Sequence, residues 1–447
     1  MDGCMNKFLL IILLFSGTGL LYGCSSDDTD AQYLANAQEY FDAGKMNAAA
    51  IELKNVLKEN PDNPRARLLL GKLHIETGDL AAAEKELTKA RKLGVEDELI
   101  LPLLSRVLQL QGKNAELLRL PLENLTAKGK AEILAVQGQA KLAQGEVAEA
   151  ASIIEQAISN DPGSANALIA SARVHAAKKE FALAREKLEA AFLIDQKSAS
   201  AWSMLGDIEW QEQNPDLAEK AYSKAIEFRK NSFADYFKRA LVRIQLNIYD
   251  EAQQDVDSIK KNYPQHAGAN YAQGLIFYHN KNFRDAAASF EVALSDEGRF
   301  PLALLYLGAS YFLQDNPEQA ETYAKRFVYL RPDNIDGRRL LAMIMYKKQE
   351  YSEAEELIRP VTEARKDDIN ALNILTGSLI KQNKMDEVID LLARLAVLQP
   401  DSPLAQTRLG AGLLAEGKNE SGVEHLESAI QLKPDNQQAN ALLILSY

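Results

Sequence analysis

The chain has 447 residues, 47% hydrophobic and 26% charged, a composition that folds but is too long for one compact core unless it is divided or elongated. Its formal charge of −12, from 51 basic and 63 acidic residues, argues against general nucleic-acid binding, because a polyanion meets net repulsion where no basic stripe offsets it. Strand signals are sparse and no β-hairpin dipeptide separates alternating runs, so the chain reads as all-α.

The first residues stand apart from the rest. Lys7 precedes the apolar run Phe8–Phe15 and a small-residue break at Ser16–Gly19, which predicts a secretory signal over residues 1–23 and not a membrane span of about 20 residues. Leu21-Tyr22-Gly23-Cys24 resembles a bacterial lipobox, with Tyr22 where a smaller residue is usual. The resemblance makes Cys24 the acylated first residue of the mature chain, leaving no second cysteine for an intramolecular disulfide. It also implies an outer-membrane lipoprotein facing the periplasm, since Ser25 stands where an Asp tends to retain such proteins at the inner membrane. Residues 24–29 then read as a short polar tether.

From Asp30 a 34-residue unit recurs, starting at 30, 64 and 98 and, after one deletion, at 131, 165, 199, 233, 267, 301, 335, 369, 403 and 437. The eighth place holds Ala37, Gly71, Ser105, Gly138, Ala172, Gly206, Ala240, Gly274, Gly308, Ala342, Thr376 and Gly410, all small. Ten of the twelve twentieth places are Ala or Gly, and Pro61, Pro162, Pro264, Pro332, Pro400 and Pro434 share one phase near the unit's end. In Ala199–Ser232 the plan is clearest: Trp202, Leu205 and Ile208 recur at helical spacing, Asn214-Pro215 breaks the chain, and Leu217, Ala218, Ala221, Tyr222, Ala225 and Ile226 line a second helix. A mid-helix Gly such as Gly206 costs about 0.5–1 kcal/mol against Ala, so it points to close approach of a neighbouring helix.

Two units break the pattern. In residues 98–130 Leu117 replaces the small residue, Pro121 falls inside the expected second helix and one residue is missing, so either a bend around Arg119–Gly129 or a shortened helix with a longer loop is expected. The last, Gln437–Tyr447, covers most of a first helix and no polar closing helix follows, which reads as a truncated or continuing array.

A 34-residue two-helix unit with small residues at these places and Pro near its end resembles the tetratricopeptide repeat (TPR) over nearly all of residues 30–447. The resemblance implies an all-α, right-handed superhelical solenoid of twelve repeats, in residues 30–130 and 131–436, plus a partial thirteenth at 437–447. It also implies a groove lined by the first helices. Carried onto this chain, the groove places give Trp210, Phe237, Tyr271, Tyr278, Phe312, Arg339, Tyr346 and Lys347 as candidate ligand contacts. Exposed aromatics of this kind suit an apolar helix, an extended peptide or a sugar ring; the alternative is that neighbouring first helices bury them against one another.

No constellation for catalysis, cofactor or metal emerges. Gly412–Asn419 nearly spells a phosphate loop but lacks the Ser or Thr at Asn419 and a preceding strand, and His74, His175, His266, His279 and His425 are scattered. The stretches Ala48–Asn63, Ala66–Lys72, Gly78–Leu87 and Leu101–Arg106 are similar to the TPR-repeat lipoproteins of the PEP-CTERM/exosortase system. Membership implies a lipid-anchored, non-catalytic envelope scaffold whose partners are proteins of exopolysaccharide export and PEP-CTERM sorting. Direct exopolysaccharide binding, and a general role in pilus or outer-membrane protein assembly, are the alternatives.

Overall fold

The computed structural model describes residues 26–446; Cys24 and the signal segment lie outside them. The described residues form 25 α-helices and contain no strand. Helix α1 begins at Ser26, so the part of the expected tether within the described residues is helical. By contact the chain divides into two compact units, Met1–Met204 and Leu205–Tyr447, and the division falls inside one helix, Ala199–Gln211.

The first unit contains α1 (Ser26–Asp42), α2 (Met46–Glu59), α3 (Pro64–Thr77), α4 (Leu80–Lys92), α5 (Asp97–Leu110), α6 (Asn114–Leu117), α7 (Ala127–Ala143), α8 (Val147–Asn160), α9 (Ala165–Ala177) and α10 (Phe181–Ile194). After α11 (Ala199–Gln211), the second contains α12 (Pro215–Phe228), α13 (Phe233–Gln245), α14 (Tyr249–Lys260), α15 (Ala267–His279), α16 (Phe283–Ala293), α17 (Leu302–Leu313) and α18 (Pro317–Leu330). It continues with α19 (Ile335–Lys347), α20 (Tyr351–Ala364), α21 (Ile369–Lys381), α22 (Val388–Leu398), α23 (Pro403–Ala415), α24 (Asn419–Leu432) and α25 (Gln437–Ser446). Within each unit successive helices form antiparallel hairpins stacked side by side, in the register of the 34-residue repeat.

Three local devices set that register. At the eighth place a small residue meets the side chain sixteen positions on: a Cβ on Gly206 would stand 2.5 Å from the Tyr222 ring, and one on Gly274 would stand 2.6 Å from Phe290. Between the helices of each hairpin, one residue takes the left-handed conformation that ends a helix sharply. It is Gly44, Gly78, Gly112, Gly145 and Gly417 in five hairpins, but Lys179, Gln213, Asn247, Lys281, Asp315, Gln349 and Asn383 in the others. Before most first helices a side chain caps the free N–H groups, as Asn63 Oδ1 does for Arg65 and Ala66, and His266 Nδ1 for Ala269.

The irregular third repeat keeps only Asn114–Leu117 of its second helix and runs on through an open loop to α7. Buried Leu117 and Leu125 fill the space against Leu101, Leu104 and Ile133, so α5 and α7 share one apolar cluster. Glu98 clasps the loop's end, accepting from Thr126 N at 3.0 Å and from Thr126 Oγ1.

Candidate functional site

The second unit encloses two neighbouring cavities, the first lined by first-helix residues and the second also by the second helix α22, and Asn370 lines both. The first, about 450 Å³, is walled by Tyr278 from α15, Leu305, Ala309 and Phe312 from α17, and Arg339 and Met343 from α19. The second, about 820 Å³, runs from Tyr346 along α21, α22 and α23 to Gln438 on α25. A run of first helices is concave because their second-helix partners pack outside them, and small residues such as Ala309, Gly377 and Ala411 keep the floor low.

Four of the expected contacts, Tyr278, Phe312, Arg339 and Tyr346, line these cavities. Tyr278 stands edge-on to Phe283 at 5.5 Å and to Tyr306 at 5.4 Å, and burial raises the pKa of its hydroxyl. Arg339 is held between Asp368 at 3.1 Å and Asp336 at 3.3 Å. The Asp336 carboxyl lies below its ordinary range because Arg365 donates to it. Tyr346 packs edge-on to Tyr351 at 5.5 Å, and its ring end occupies the space a Cβ on Gly377 would need.

The other four stand elsewhere. Tyr271 is a correction: it is only 8% exposed, stacked on Phe300 at 5.3 Å and tilted against Phe290 at 6.0 Å. Packed between Phe290 and Phe300, the ring fills the stack, and burial drives its hydroxyl pKa up. Phe237 meets the same Phe300 edge-on at 5.7 Å, and Trp210 packs half-buried on Ala218, Tyr222 and Val242. Lys347 is exposed at the helix end, ion-paired with Asp315 and 5.2 Å above the Phe312 ring, so it braces that ring at the cavity edge.

Sequence reading missed most of the second cavity. Its residues Asn373 and Ile380 occupy the two repeat places that hold the aromatics, one unit further on; the register was visible, but no ring marked it. Also missed was a buried charge cluster away from the groove. Asp255, 2% exposed, accepts from Arg239 at 2.6 Å and Arg243 at 2.9 Å, while Arg243 reaches Glu219 on the preceding hairpin at 2.7 Å. Burial raises the Asp255 pKa despite both guanidiniums. The near-phosphate loop is a helix-to-helix turn: α23 precedes it and Gly417 takes the left-handed turn position, φ 76°. No group of side chains suited to a metal occurs among the described residues, and none of their helices is long and apolar enough to cross a membrane.

Hairpins stacked in register, with a groove along their first helices, define a repeat scaffold for protein–protein interaction. Tetratricopeptide repeat profiles match residues 40–107, 141–208, 199–232, 237–299 and 282–335, together more than half of the chain. The chain belongs to the tetratricopeptide repeat family. Over 138 residues it is 30% identical to the heat-shock protein cognate (HSC) co-chaperone sgt12 of Aspergillus fumigatus, a match covering 31% of this chain and 40% of that protein. The chain therefore spans about two fifths of that relative's length. Similar solved structures include the APC/C hetero-tetramer Cut9–Hcn1, at 14% identity over 93% of this chain and 96% of that one, TM-score 0.43. PilF of Pseudomonas aeruginosa is similar at 17% identity over 48% of this chain and 99% of that one, TM-score 0.44.

Proposed function

We propose that this chain is a non-catalytic, lipid-anchored scaffold of the bacterial cell envelope that holds proteins of the polysaccharide export and PEP-CTERM sorting machinery in the groove of its second unit. The observation that carries the binding role is the pair of adjoining cavities sharing Asn370, of about 450 and 820 Å³, which offer room for a segment of another protein. The lipobox at Cys24 and the N-terminal stretches similar to exosortase-associated lipoproteins support the anchor and the system. Direct glycan binding has fewer rings to draw on, because Tyr271 is buried and Phe237 and Trp210 are half-buried in the packing, which leaves Tyr278, Phe312 and Tyr346 on the cavities.

Two substitutions at partly exposed positions lining the groove test the reading. Ala309→Arg/Met343→Arg is expected to abolish capture of polysaccharide-export and sorting proteins from envelope extracts while leaving thermal unfolding unchanged; undiminished capture contradicts it. For the anchor, Cys24→Ser is expected to release the protein from the outer-membrane fraction, and continued fractionation there contradicts lipidation as the tether.

A further inference from the structure

The two cavities differ in charge. In the first, Arg339 is neutralised by Asp336 and Asp368. None of the residues lining the second is Asp or Glu, although the chain carries a net charge of −12. It contains instead two exposed cations, Lys381 at the end of α21 and Arg408 on α23, and neither forms an ion pair among the described residues. Arg408 Nη1 donates to Asn373 Oδ1 at 3.1 Å, which lays the guanidinium along the wall. Cations gathered without carboxylates on an acidic protein invert the local field and attract anionic groups.

The floor between them is aliphatic. Ile380, Met385 and Leu404 are 45%, 38% and 52% exposed, an apolar surface of the kind that marks a contact site. Around it stand four primary amides, Asn370, Asn373, Gln399 and Gln438. Asn370, Gln399 and Gln438 each offer both a donor and an acceptor, the complement of a peptide group, while Asn373 is spent on Arg408 and on the Ile369 carbonyl.

We propose that this cavity binds an acidic, apolar protein segment, with its aliphatic side chains on Ile380, Met385 and Leu404 and its carboxylates toward Lys381 and Arg408. The proposal rests on the groove reading above and adds the partner's chemistry to it. An acidic polysaccharide shares the charge, but sugar rings seek aromatic faces, and Tyr346 is the one aromatic residue lining this cavity.

The test is fluorescence anisotropy with the detergent-solubilised full-length protein. The probe is a labelled twelve-residue peptide alternating Leu and Asp, the control the same peptide with Asn for Asp, and the competitor an oligogalacturonate. The acidic peptide is expected to bind, to weaken with added salt, and to lose at least tenfold in affinity in Lys381→Glu/Arg408→Glu. Lys381→Gln/Arg408→Gln, which guards against misfolding by charge reversal, is expected to lose severalfold with an unchanged melting temperature. The Asn peptide is expected to bind at least tenfold more weakly, and the oligogalacturonate not to displace the probe. Equal binding of the Asn peptide, undiminished affinity in both charge variants, or displacement by oligogalacturonate at peptide-like concentrations overturns the proposal. Each of those outcomes leaves the groove reading intact, whereas undiminished partner capture by Ala309→Arg/Met343→Arg removes that reading itself.

Discussion

Single positions carry the repeat, and they differ in how plainly they show. Gly274 lies under the Phe290 ring and Gly206 under Tyr222, because two helices this close leave no room for a Cβ beneath an aromatic ring. Gly274→Ala is therefore expected to destabilise the second unit by about 1–3 kcal/mol, through overpacking against a ring that cannot flex away. Phe290→Leu in the same chain is expected to recover part of that loss, read as the urea midpoint of the single and double variants; two additive losses would contradict the pairing. The small eighth place was legible because it recurs. The left-handed turn place was not, since Lys179, Gln213, Asn247, Lys281, Asp315, Gln349 and Asn383 carry no Gly signature there. The backbone tolerates them at a cost of about 1–2 kcal/mol each in local conformation because the hairpin closes around them.

Between elements, carboxylates on second helices tie each hairpin to the next. Glu321 accepts from Lys325 at 2.8 Å and from Lys348, and Glu355 accepts from Arg359 at 2.6 Å and from Lys384 and Gln382 at 2.7 Å. Lys325 and Lys348 hold the Glu321 carboxyl below its ordinary range; at Glu355, burial pushes upward but is outweighed by Lys384, Arg359 and Gln382. A carboxylate whose folded pKa is lowered stabilises the fold above its unfolded value, about 4.3, and loses that contribution as pH falls through the folded one. Thermal stability is accordingly expected to fall from about pH 5 down to pH 3, and less steeply in Glu321→Gln/Glu355→Gln; identical pH profiles would remove these carboxylates from the account. Helical spacing shows which face a side chain is on, but not how near the neighbouring helix stands. That is why Tyr271 reads as a groove ring in the sequence and is a core ring in the fold. The third repeat was legible as irregular from Leu117 and Pro121, and the fold spends the irregularity on a short α6 and a loop clasped by Glu98.

At the scale of the molecule, the period in the sequence already contains the hairpin order of both units, since every first and second helix falls in the register of the small residues. The groove was only partly contained in it. Tyr278, Phe312, Arg339 and Tyr346 were identifiable as aromatics and a cation at first-helix places, while the larger cavity is built of amides and aliphatics that resemble ordinary helix surface until α21, α22 and α23 bring them together. The central claim, that the first-helix face of the second unit holds the partner, is most directly tested by photo-crosslinking in cells. Benzoylphenylalanine is placed at Met343 or Ala411, inside the cavities, and at Tyr329 or Val397, which are 85% and 79% exposed on second helices. The account predicts crosslinks to envelope proteins from Met343 and Ala411 and none from Tyr329 and Val397. Crosslinks from the second-helix positions alone, or from all four equally, would contradict it.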